Sequence, residues 1–174
     1  MSRNQSAALP IAYVALRILI ILNWVFGACV LALLLYTFAN EAWTMKALGV
    51  ARFADAGQVM WGMRGVAALG VVAVVLNYGV LGRLLRIVDT VRAGDPFIAA
   101  NAYRLNAIGW LLLGLQLISM IIGGIGATLS TAEHPFHLDA GFSVNGWLAV
   151  ILTFVLARVF AEGSLMREDL EGTI

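Results

Sequence analysis

Charge is scarce in this chain. Charged side chains make up 12% of its 174 residues, against about a quarter in ordinary globular domains. Eleven Lys and Arg stand against ten Asp and Glu, a net charge of +1. Direct nucleic-acid binding is therefore not expected, because phosphate contacts draw on a clustered basic excess. A single cysteine, Cys29, excludes an intrachain disulfide. It sits in an apolar run and reads as a small hydrophobe. Two histidines are present, His134 and His137, in the stretch "EHPFHLD" beside Glu133 and Asp139. A metal centre needs convergent ligands and a supporting shell. Two histidines flanking a proline do not supply that, so neither metal nor cofactor is expected. Gly-rich phosphate loops, metalloprotease helices and Gly-x-Ser-x-Gly elbows are also missing. No catalytic residue is assigned, and an enzyme is not expected.

What the chain has is apolar surface: 61% of its residues are hydrophobic. A body of this size cannot hide that much inside itself. Lipid is the solvent that removes the difficulty. Four runs are long enough to cross about 30 Å of hydrocarbon as helices. They are Ile18 to Phe38, Met63 to Gly82, Ala107 to Leu129, and Val144 to Phe160, the shortest. They lack the strict alternation of barrel strands, and a helix satisfies its own backbone in lipid. The first run exceeds the 7–15 apolar residues of a cleaved signal, so it reads as a retained anchor. The expected class is all-α and polytopic: one domain over residues 1–174, with four transmembrane helices in an antiparallel bundle. With their extensions, the spans fall at about 15–38, 61–93, 97–129 and 144–170.

Orientation follows the basic residues. The middle connection carries Arg83, Arg86, Arg92 and Arg104, whereas the connection between spans three and four carries no Lys or Arg. Arg3 and Arg17 flank the first span; Arg158 and Arg167 flank the last. The expected location is the bacterial cytoplasmic membrane, with both termini and the middle connection in the cytoplasm. The first outer connection, with Trp43, Leu48, Phe53 and Trp61, reads as an interfacial helix or a lid.

The middle connection is "GDPFIAANAYRLNAIGW", from Gly94 to Trp110. Span two continues toward it with helical periodicity. Leu84, Ile87, Val88 and Val91 form one face, opposite Arg83, Arg86, Asp89 and Thr90. Asp89 can pair with Arg86 or Arg92 at i,i+3 spacing. Gly94 is a helix stop. Asp95 and Pro96 read as an N-cap and first-turn proline that start the next helix. Asn101 and Arg104 share a face. Helices two and three thus project as a cytoplasmic hairpin. It is either an ordinary positive-inside connection or a docking surface. The tail carries Glu162, Glu168, Asp169 and Glu171 against Arg167. It is expected to pair with the basic hairpin, with an apolar stripe of Val159, Phe160, Leu165, Met166 and Leu170 interrupted by Gly163.

These two stretches resemble the bacterial four-span membrane family catalogued as domain of unknown function 2975 (DUF2975). The similarity rests on Gly94, Pro96, Phe97, Asn101, Arg104 and Leu105, then on Gly163, Leu165, Glu168, Asp169, Thr173 and Ile174. The resemblance implies a regulatory or sensory membrane protein that binds a small cytoplasmic helix-turn-helix regulator, because members are often encoded beside one. It supplies no activity and no catalytic residue. The candidate partner-binding residues are Arg83, Arg86, Asp89, Arg92, Asp95, Asn101, Arg104, Glu168 and Asp169.

Asn23, Asn77 and Gln116 lie at membrane depth, where polar groups are expensive and face other helices or a cavity. Interhelical hydrogen bonding is one reading. A polar pathway in a small transport or channel component is the other. Arg17 lies near a span end and can snorkel. Small residues at Gly62, Gly65, Gly70, Ser119, Gly123 and Ala127 favour close helix packing, within the bundle or in a homo-oligomer. A structural subunit of an envelope complex is the remaining alternative.

Overall fold

The computed structural model describes residues 5–47, 49, 56–130 and 140–171. Five helices follow one another, with no strand among the described residues: α1 (Gln5–Ala39), α2 (Glu41–Ala47), α3 (Ala56–Arg92), α4 (Ala99–Leu129) and α5 (Val144–Glu171). All but α2 are long and apolar enough to cross a membrane. The chain is a multi-pass membrane protein. Little of each apolar stretch is covered by protein, between 11% and 17%. Side chains such as Leu22, Phe26, Val72, Leu117 and Val155 stand exposed, and only lipid makes that arrangement favourable.

Packing follows chain order. The substantial contacts are α1 with α3, α3 with α4, and α4 with α5, while α2 leans on α1. Residue numbers rise along one helix as they fall along its neighbour. Gly27 faces Val74, and Gly70 faces Val30. Gly62 faces Leu129, Gly65 faces Ile125, and Gly114 faces Leu76. Gly109 faces Phe154, and Gly163 faces Phe97. Gly62, Gly65 and Gly70, three of the small residues singled out in the sequence, thus let helices of the same chain approach closely, as do Gly27, Gly109 and Gly114. One cluster joins α3, α4 and α5 through Val80, Leu105, Ile108 and Ala157. A second joins α3 and α4 through Val59 and Leu129.

Two of the expected boundaries shift. Helix α1 starts by Gln5 and carries Pro10 within it. Helix α3 starts at Ala56, so Trp61 belongs to a span rather than to an interfacial helix. Among the described residues, α2 lies within that expected outer helix; its Trp43 meets Tyr36 edge-on at 5.4 Å. Leu48 and Phe53 lie outside the described residues, as do His134 and His137.

The fourth span is offset along the others. Ser119 Oγ accepts from the Gly141 amide at 3.2 Å, so residues 140–143 lie against α4 well before its end. Gly123 meets the Ala140 carbonyl and the Gly141 α-carbon. A side chain at Gly123 would come within 2.7 Å of both backbone atoms, whereas one at Gly124 would meet open space. Gly123→Ala is therefore expected to destabilise the fold by about 1–3 kcal/mol through overpacking. Gly124→Ala should be neutral or slightly stabilising, since it removes only a helix-interior glycine. Chemical denaturation of both variants in mixed micelles checks the difference.

Candidate functional site

At one end of the helices the chain turns from α3 into α4. The turn is dictated by Gly94. Its φ of +89° is a backbone conformation that costs other residues a steric penalty. The Gly94 amide donates to the Val91 carbonyl at 3.1 Å, and the Asp95 amide to the Thr90 carbonyl at 2.9 Å. Those two bonds close α3 in a Schellman motif and satisfy carbonyls that the helix leaves open.

The expected N-cap at Asp95 is corrected here. Helix α4 begins only at Ala99, with Ile98 in the capping position and no side-chain cap. Asp95 is drawn elsewhere: its carboxylate accepts from Arg167 of α5. The next residues follow it. Phe97 lies against Phe160, ring centroids 5.1 Å apart, and over Gly163. A side chain at Gly163 would approach Phe97 to 3.0 Å. Gly163 thus seats the aromatic ring that bolts the bend to the last helix.

Asn101 holds the bend from inside. It is fully buried. Its amide nitrogen donates to Thr90 Oγ1 at 2.7 Å and to the Pro96 carbonyl at 2.8 Å. Its oxygen accepts from Arg104 at 2.7 Å. One side chain therefore ties α3, the irregular segment and α4 together, and every polar atom it buries is used.

The other sequence candidates divide. Arg83 donates to the Gly79 carbonyl of its own helix, and Arg86 is exposed. Asp89 and Arg92 approach to 3.9 Å. Arg92 also lies over the Tyr13 ring at 4.7 Å, and Arg17 lies over the same ring at 4.9 Å. Glu168 and Asp169 stand exposed on α5, and Glu162 pairs with Arg158 one turn away at 2.8 Å. At Asp95 and Arg167 the sense is the reverse of the one expected: the bend gives the acid and the tail the arginine. The members of the expected apolar stripe differ in burial. Phe160 packs inward, but Val159, Leu165 and Met166 are exposed. A groove of about 430 Å³ runs between α4 and α5 near this end, with Asn106 and Arg158 at its polar side.

The two stretches that carry the resemblance, far apart in sequence, meet in this one joint. The family described as "Protein of unknown function (DUF2975)" matches residues 31–174, which includes both. The chain belongs to this family. No curated protein and no solved structure matches it. The joint of this DUF2975 member is thus built from residues on both sides of the α3–α4 bend and from the last helix.

Two further polar positions lie along α1 and α3. Asn23 donates to the Val74 carbonyl at 3.1 Å, and Asn77 donates to Asn23 at 3.2 Å. These two intramembrane candidates therefore come together between the helices. Gln116 does not join them; it lies against Gly146 of α5. Sequence reasoning gave Arg64 no role, yet it is buried. It donates to the Thr37 carbonyl at 2.7 Å and to Glu41 at 3.1 Å. It also lies over the Phe38 and Trp61 rings at 4.3 and 5.1 Å. Its signal was an arginine at the head of an apolar run, with an aromatic neighbour and a nearby acid. Among the described residues no group of three metal-ligating side chains occurs.

Burial ranks the joint's contacts. Asn101→Ala leaves Thr90, the Pro96 carbonyl and Arg104 without their partner and is expected to cost about 2–3 kcal/mol. The side chains of Asp95 and Arg167 are roughly half exposed, so their coupling should not exceed about 1 kcal/mol. A double-mutant cycle with Asp95→Asn and Arg167→Met, run beside Asn101→Ala in the same denaturation assay, measures both.

Proposed function

We propose that this chain is a non-enzymatic regulatory or sensory protein of the bacterial cytoplasmic membrane, which holds a small soluble helix-turn-helix regulator at its cytoplasmic face. In this reading residues 1–174 form a single antiparallel four-helix transmembrane domain. Both termini and the α3–α4 hairpin lie in the cytoplasm. The excess of arginine around the bend supports that orientation. The single observation that carries the docking reading is the joint itself. Phe97 on Gly163, together with Asp95 on Arg167, fixes bend and tail into one surface. A connection that served only to reverse the chain would not need to grip the last helix.

Helix α3 runs ten residues past the last apolar stretch, residues 83–92, a rise of about 15 Å at helical pitch. That extension lifts the joint clear of the bilayer. Exposed Arg86, Asp89 and Arg92 on one side and Glu168 and Asp169 on the other then offer charges of both signs to a partner. Charges so placed set partner choice and association rate more than affinity. The resemblance supplies the class of partner, a small DNA-binding protein. Gly62, Gly70 and Gly123 already meet neighbours within the chain, so a homo-oligomer would have to use other surfaces.

The test is co-purification from detergent extracts with the small helix-turn-helix protein encoded beside family members. Arg86→Glu combined with Glu168→Lys alters exposed charges only and should reduce recovery of the partner about tenfold, with thermal unfolding unchanged. Equal recovery by the charge-reversed chain, or none by the wild type, contradicts the reading.

A further inference from the structure

The groove between α4 and α5 belongs neither to the joint nor to the charges offered to a soluble partner. Three alanines, Ala102, Ala157 and Ala161, leave its space open, and Tyr103, Asn106 and Arg158 bring polar groups to it. Phe154 lines its apolar end, where Trp110 meets that ring edge-on at 5.5 Å. From Phe154 to Ala161 the α5 wall rises about 10 Å. That is the length of a lipid headgroup with its glycerol, not of an acyl chain.

Packing sets the depth of this groove. Val80, Leu105 and Ala157, one from each of α3, α4 and α5, meet in one cluster. Toward the bend, the first charged residues past that level are Arg83, Arg104 and Arg158. Charge therefore begins on all three helices together, which marks the edge of the hydrocarbon. Tyr103 and Trp110 stand exposed near the same level, as interfacial aromatics do. Two of the three arginines are committed to the fold. Arg83 donates to the Gly79 carbonyl, and Arg104 donates to the buried Asn101. Arg158 is tied only to its own helix: its Nε donates to Glu162 at 2.8 Å, and both side chains are exposed. Among the described residues its two terminal nitrogens have no acceptor.

We propose that this groove binds a zwitterionic aminophospholipid, phosphatidylethanolamine, from the leaflet on the bend side. The order of the charges carries the choice. Glu162 stands one helical turn, about 6 Å, farther from the hydrocarbon than Arg158. In an ethanolamine headgroup the ammonium likewise lies outside the phosphate, two methylenes away. Arg158 gives its terminal N–H groups to the phosphate, whose oxygens suit a planar fork. Glu162 keeps one oxygen on Arg158 Nε and turns the other to the ammonium. Across the groove, Tyr103 and Asn106 supply a hydroxyl and an amide to the phosphate and ester oxygens. A purely anionic headgroup gains less, because Glu162 offsets the one arginine that faces it. A choline headgroup has no N–H to give a carboxylate. The site needs only the bilayer and the α4–α5 packing, and it stands apart from the docking reading.

Native mass spectrometry tests it. Full-length protein in detergent is offered equal amounts of phosphatidylethanolamine, phosphatidylglycerol and phosphatidylcholine with matched acyl chains. The wild type is expected to retain the ethanolamine lipid about fivefold or more over each of the others. Glu162→Gln should abolish that preference and favour the anionic phosphatidylglycerol, because it removes the partner of the ammonium and uncovers Arg158. Arg158→Glu combined with Glu162→Arg keeps an ion pair but inverts its order, and should bring the three lipids to equal retention. Thermal unfolding of each variant separates lost binding from lost fold. If the inverted pair unfolds early, Glu162→Gln decides, since it alters one exposed carboxylate. Equal retention of the three lipids by the wild type, a preference for either of the other two, or an ethanolamine preference that survives Glu162→Gln overturns the site.

Discussion

Backbone amides dissolved in oil have no water to turn to. Each must find its partner within its own segment, and everything else in this fold is arranged around that demand. It makes the four long segments helical whatever their side-chain propensities, which is why the glycines of α3 and α4 do not break them. Once the backbone is satisfied, lipid supplies no hydrophobic push between helices, so contact depends on fit and on a few polar bonds. The glycines provide the fit. Phe154 reaches α4 at Gly109, and Val74 reaches α1 at Gly27, because no side chain stands in the way.

The polar bonds are spaced along the structure. At the bend, Asn101 and the Asp95–Arg167 pair join α3, α4 and α5. At mid-length, Asn23 and Asn77 join α1 to α3. At the far end, Arg64 reaches back to Thr37 and Glu41, and two aromatic rings shield its charge. Helix α1 is held to the rest mainly through α3. Two of the three levels therefore fasten α1, and one fastens the α3–α5 layer. Gln116 is the exception: its side-chain nitrogen is buried with no hydrogen-bond partner among the described residues.

The sequence made some of this readable and hid the rest for physical reasons. The number and class of the spans follow from run length alone, and the long runs overwhelm local detail. Gly94 as a helix stop is legible because only a glycine tolerates that φ cheaply. Asn101 and Arg104 are legible as neighbours because helical spacing puts i and i+3 together. Asp95 was misread because Asp-Pro favours a helix start locally. A tertiary partner 72 residues away outcompeted that preference, and local spacing carries no information about such a contact. The same holds for Phe97 on Gly163. The late start of α5 was hidden because run length gives the extent of a span but not its offset against a neighbour.

The central claim is that lipid covers the exposed apolar faces of these helices. Spin labels placed one at a time at Leu22, Val72, Leu117 and Val155, all exposed, test it directly in a Cys29→Ser background reconstituted into bilayers. The account predicts that all four labels collide readily with dissolved oxygen, which partitions into hydrocarbon, and hardly at all with a water-soluble nickel chelate. Nickel-dominated collisions at these positions would contradict it.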